Sequence, residues 1–168
     1  MGAARHRRCY GQGHLRGLPE VDLTGGGGSA ARVRASFDRQ RIMRTIGATL
    51  EHVADGEVHI ALPVRADLTQ QHGYVHAGVI ATIADSACGY AALSVMPEDA
   101  AVLSIEFKIN MLAPAGGTRL IARGKVIKPG RTIVVCGAEV YAEQDGAEKL
   151  VATMTGTMMV VKGRGLVD

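Results

Sequence analysis

One carboxylate, Asp85, is the single charged group in the long run from Val79 to Met96. Burying a carboxylate costs several kcal/mol unless a neighbour compensates it, so its presence there calls for a reason. Taken alone, the segment leaves two readings open. Asp85 is a base or nucleophile whose reactivity rises as its hydration falls, or it is a capping or dimer-contact residue satisfied by backbone amides. Cys88, one turn further on, has the spacing to suggest a thiol nucleophile, but a Cys on an Ala-rich helix reads more simply as a small hydrophobe.

Immediately before the run lies Gln70-Gln71-His72-Gly73-Tyr74-Val75-His76-Ala77-Gly78. Ala77 and Gly78 stand where a helix should begin, so their N–H groups have no intrahelical acceptor and lie at the positive end of the helix dipole. That is a place for a developing negative charge.

The elements that must position these groups follow from periodicity. Val79, Ile80, Ile83, Ala87, Tyr90, Ala91 and Ser94 recur at spacings of three and four, which predicts a buried helix. The run is about long enough to span a membrane, but its Ala, Gly, Ser and Thr content and its mid-helix Asp favour the core of a soluble domain. Ser36 is placed to cap a short helix carrying Phe37, Ile42, Met43 and Ile46, with Gly47 ending it. Thr49 to Ala54 and Glu57 to Pro63 alternate around Asp55-Gly56, a hairpin signal. After Met96-Pro97 come four β-rich runs, Val102 to Leu112, Thr118 to Lys128, Thr132 to Glu143 and Leu150 to Val161, joined by short turns that imply antiparallel neighbours. The fold class is α+β: about six antiparallel strands wrapped around one long central helix.

Charge and cysteine content narrow the function classes. Of the formal charge of +3, residues 1–34 supply six Arg against Glu20 and Asp22, while residues 35–168 hold 13 basic and 14 acidic groups. The folded part is near neutral and, with no Trp and two Phe, offers no nucleic-acid surface. Cys9, Cys88 and Cys136 are far apart and in no ligand pattern, which predicts no metal, no disulfide framework and a cytoplasmic protein. Residues 1–34, with their Gly-rich stretch, read as a flexible tail that the domain can fold without. The domain is placed at 35–163, with a C-terminal tail at 164–168.

Three stretches together, Gln71 to Gly78, Ile83-Ala84-Asp85, and Ser104 to Asn110 with Pro114-Ala115, resemble the hot-dog-fold acyl-CoA thioesterases of the PaaI-like (phenylacetate-pathway) branch. The resemblance runs from about Phe37 to Lys162. It implies hydrolysis of an acyl-CoA, aryl or medium-chain, without a cofactor. It further implies Asp85 as base or nucleophile, the amides of Ala77 and Gly78 as oxyanion hole, His76 beside them, and Ser104 in the place of an assisting hydroxyl. Two departures stand out: the family's His-Gly-Gly is here His76-Ala77-Gly78, and its frequent Asn, which orients water, is here Gln70. An Ala keeps the backbone N–H, and a Gln keeps the amide donors and acceptor one methylene further out. His72 and Tyr74 are expected to line the pocket, and Arg123, Lys128 and Arg131 to meet the phosphates of CoA.

Helix geometry adds a constraint. Eight residues separate Ala77 from Asp85, about 12 Å along one helix. The two cannot hold one thioester between them, which predicts sites shared across the interface of a homodimer or homotetramer. Two other readings remain: an acyl-thioester dehydratase or hydratase, for which no paired His and acid is seen on the helix, and a non-catalytic acyl-CoA-binding module.

Overall fold

A computed structural model describes residues 28–166 and residue 168. Helices α1 (Gly28–Arg39) and α2 (Arg41–Ile46) precede strands β1 (Thr49–Ala54) and β2 (Glu57–Pro63). Helix α3 (Ala77–Ser94) and strands β3 (Ala100–Met111), β4 (Arg119–Lys128), β5 (Ile133–Gln144) and β6 (Ala147–Lys162) complete the chain. The six strands form one sheet, ordered β1-β2-β4-β5-β6-β3, with every neighbouring pair antiparallel.

Helix α3 lies on one face of this sheet, and Ile83, Ala84, Ala87, Cys88, Ala91 and Ala92 have no exposed surface. By length and composition α3 could cross a membrane, but its apolar faces are spent on the sheet. Small residues let it come close: a Cβ on Gly124 of β4 would lie 2.3 Å from the carbonyl carbon of Ala87. Strand alternation then points Arg123 and Lys125 to the opposite face of the sheet.

The domain begins earlier than composition suggested. The tail assigned to residues 1–34 overlaps α1, which starts at Gly28, buries Val33, Ser36 and Phe37, and packs Phe37 against Tyr90 of α3 with ring centroids 5.7 Å apart. Arg32 donates to the carbonyls of Met96, Pro97 and Ala100 at 2.8–3.2 Å, tying α1 to the turn between α3 and β3. The glycines masked good helix formers in Ala30 to Arg39 and the four-residue spacing of Val33 and Phe37. Residues 1–27 lie outside the described residues. Ser36 is likewise no cap; it sits inside α1. Gly47 does end α2, in the left-handed region at φ 79°.

A stability prediction follows. Compared with a chain starting at Gly28, one starting at Ala35 loses Val33 and the Arg32 hydrogen bonds, and should be less stable by about 3 kcal/mol or more. The midpoint of urea unfolding measures this, and equal midpoints would contradict the role given to α1.

Candidate active site

The loop before α3 is pinned by its backbone. Val75 N–H donates to Ala115 O and His76 N–H to Leu68 O, both at 2.9 Å. Helix α3 therefore starts at a fixed point. His76 is its N-cap, with an extended backbone, and its Nδ1 accepts the Gly78 N–H at 2.9 Å. That bond assigns the proton of the neutral imidazole to Nε2. It also changes the expected pair of donors: Gly78 N–H is spent on the cap, while Ala77 N–H has no partner among the described residues.

Gln70 lies beside this point. Its Oε1 accepts the His72 amide, which leaves the Nε2 donors without a partner among the described residues. Gln70, Tyr74, Ala77 and Ile80 line one cavity of about 430 Å³, walled by Met111 to Ala115. Tyr74 also borders a second cavity. His72 is exposed and within 3.4 Å of Gln71 Nε2.

Asp85 is elsewhere. It is half-buried, less so than expected of a core helix, and Ser104 Oγ donates to its Oδ1 at 2.7 Å. The pair lines a different cavity, of about 220 Å³, shared with Ser36, Gln40, Tyr90 and Asp168. One chain thus brings Asp85 to Ser104, and Gln70 to Ala77, but does not bring the two groups together.

The thiols do not compete as nucleophiles. Cys88 is fully buried, and desolvation, with lesser contributions from Cys136 and Asp85, pushes its thiol far above the ordinary range. Burial pushes Cys136 up to about 12. Both stay protonated at neutral pH.

The expected cationic contacts separate. Arg123, on the sheet face away from α3, pairs with Glu148 at 2.6 Å and lies 4.6 Å from the centroid of the Tyr141 ring. It belongs to neither cavity. Lys128 and Arg131 are exposed at the β4–β5 turn. That turn is at the same end of the sheet as Ser104, since Ser104 and Val134 both pair with Met158.

Sequence reasoning missed Ser36, Gln40 and Asp168 in the lining of the Asp85 cavity. Only Ser86 and Tyr90, polar at a four-residue spacing in an apolar helix, hinted that this face meets polar partners. Gln40 is that partner: its Oε1 accepts Tyr90 Oη at 3.3 Å and Ser86 Oγ at 3.5 Å.

Residues 72–149 match the Thioesterase superfamily. A thioesterase family protein from Silicibacter pomeroyi is 51% identical, with a TM-score of 0.80, over 81% of this chain and 100% of that one. The 1,4-dihydroxy-2-naphthoyl-CoA hydrolase of Listeria monocytogenes is 28% identical over 73% of this chain and 98% of its own. The E. coli PaaI protein, 22% identical over 80% of this chain and 94% of that one, shares the fold with a TM-score of 0.73. With the sheet-wrapped helix and these relatives together, the chain belongs to the thioesterase superfamily, has its hot-dog fold and is a thioester hydrolase.

Proposed function

We propose that this protein hydrolyses acyl-CoA thioesters to free acid and CoA thiol at sites shared between two copies of the chain. The observation that carries this reading is the separation of its reactive groups. The Asp85–Ser104 pair and the unpartnered Ala77 N–H line different cavities of one chain. A second helix running antiparallel to the first would bring the carboxylate of one chain to the amide of the other.

Strand β3 supports such a pairing. It is one of the two edges of the sheet and is exposed on both faces from Leu103 to Lys108. Its Leu103, Ile105 and Phe107 are 43–50% exposed. An edge with that much apolar surface is a place for another chain.

In the shared site the thioester carbonyl oxygen accepts the Ala77 N–H, and the positive end of α3 stabilises the oxyanion as it forms. His76 Nε2–H stands beside it as a second donor. Asp85 acts on the carbonyl carbon, as base for a water or as nucleophile. Ser104 Oγ–H holds Oδ1 and leaves Oδ2 free to act. The Gln70 Nε2 donors are placed to orient the water. The C–S bond breaks and the sulfur leaves as CoA thiol, taking up the proton removed from water. No cofactor enters this scheme. Among the described residues the thiols of Cys88 and Cys136 are free, which fits a cytoplasmic protein.

In this reading the exposed Lys128 and Arg131 meet the phosphates of CoA. Arg131→Ala should raise KM for an acyl-CoA severalfold and weaken its salt dependence, yet hardly affect the matching pantetheine thioester, which lacks those phosphates. Equal effects on both would remove Arg131 from the site. The reading as a whole is tested by incubating purified protein with a panel of acyl-CoAs and a thiol-trapping dye. Release from none of them would refute it.

A further inference from the structure

The unpartnered Ala77 N–H stands in the lining of a cavity built mostly from hydrocarbon. Ile80, three residues further on and so on the same side of α3, is 3% exposed and forms its floor. Met111 and Leu112, where β3 ends, line its side and are 43% and 53% exposed. The segment after β3 closes the wall with its hydrogen-bonding groups already engaged. Leu112 and Ala113 N–H both donate to Val151 O, Pro114 has no N–H, and Ala115 O accepts Val75 N–H. Gln70 and Tyr74 are the polar side chains of this lining.

A thioester whose carbonyl oxygen accepts the Ala77 N–H has its reacting carbon beside this cavity, and one of the two halves of the substrate must enter it. The pantetheine arm of CoA carries two amides. Against Met111 to Pro114 those amides would give up water for a wall whose donors are spent, a loss that a hydrocarbon does not suffer. The chain that supplies Asp85 offers a different surface. Its cavity is lined by the polar Ser36, Gln40, Ser86, Tyr90 and Asp168, and its exposed Lys128 and Arg131 stand at the Ser104 end of the sheet. That side suits water and CoA rather than an alkyl or aryl group.

From this contrast we infer that the acyl group of the substrate is a hydrocarbon and lies against Ile80, Met111 and Leu112 of the chain that supplies the Ala77 amide, an inference that rests on the acyl-CoA reading above. An apolar cavity of about 150 Å³ takes a benzene ring. This one, at about 430 Å³, has room for a ring with its linking carbons or for an extended aliphatic chain.

The test is kcat/KM for straight-chain acyl-CoAs from acetyl to dodecanoyl, with succinyl-CoA as a charged counterpart of butanoyl-CoA. In the wild type kcat/KM should rise by about two- to fourfold per methylene until the cavity is filled, the upper figure being the full transfer value of a buried CH₂. Butanoyl-CoA should be preferred to succinyl-CoA by about tenfold or more, since the extra carboxylate would have to be desolvated. Leu112→Asp should lower the octanoyl-to-acetyl ratio by about tenfold or more, the equivalent of one apolar side chain lost from the contact. A ratio is the right readout, because a variant that weakens subunit pairing lowers both rates together and leaves their quotient alone. Ile80→Val removes one methyl group from the floor, well away from β3, and should raise the dodecanoyl-to-octanoyl ratio by about threefold. Melting curves check that both variants are folded. Ratios within twofold of wild type in both variants, or a wild type that takes succinyl-CoA as well as butanoyl-CoA, overturn this assignment and leave the acyl-CoA reading standing. Hydrolysis of none of these thioesters overturns both.

Discussion

Replacing Asp85 by Asn should lower kcat for thioester hydrolysis by roughly 10² to 10⁴-fold, the range for a positioned acid or base. Asn keeps the size of the side chain, and its carbonyl can still accept the Ser104 hydroxyl that reaches Asp85 Oδ1 at 2.7 Å. The fold should therefore survive. What is lost is the negative charge and the lone pair that attacks or takes a proton. Ser104→Ala should act more weakly, by about tenfold, because it removes one hydrogen bond to a charged group and leaves the carboxylate in place. Cys88→Ala should leave kcat within threefold, since that thiol is buried and held protonated. Thiol release measured with a chromogenic trap distinguishes the three. Turnover within threefold of wild type in Asp85→Asn would sink the assignment.

The parts of this fold that repeat were legible in the sequence. The bounds of β1 and β2 follow from alternation around Asp55-Gly56, and the course of α3 from its three- and four-residue spacings. Groups whose role depends on a single local contact were harder to read. The motif identified Ala77 and Gly78 as alike, but a side chain two residues back consumes one of the two amides. Arg123, Lys128 and Arg131 look equivalent as charges near a turn, yet strand alternation sends Arg123 to the face away from α3, where Glu148 holds it. Asp168 was beyond reach altogether: nothing local marks an Asp after a Gly-rich turn as part of a cavity wall some 66 residues away in the chain at Val102. The 12 Å argument needed only helix rise.

That argument also predicts a recovery of activity from two inactive proteins. Asp85→Ala lacks the carboxylate and keeps the amide donor. Ala77→Pro lacks the donor and keeps the carboxylate. Position 77 is the first of α3, where proline is favoured in helices and its missing N–H breaks no intrahelical bond. His76 already has the extended backbone, φ −62° and ψ 138°, that a residue before proline requires. Both variants should therefore fold and form dimers, which gel filtration and melting curves check, while each alone loses most of its turnover. Unfolding and refolding an equal mixture should give about half mixed dimers. In each of these, one site joins Ala77 of the first chain to Asp85 of the second and is intact, and the other carries both lesions. About a quarter of wild-type activity should return. Given that exchange is confirmed with a tagged chain, a mixture as inactive as its parents would mean that Asp85 and Ala77 act within a single chain, against the 12 Å of helix between them.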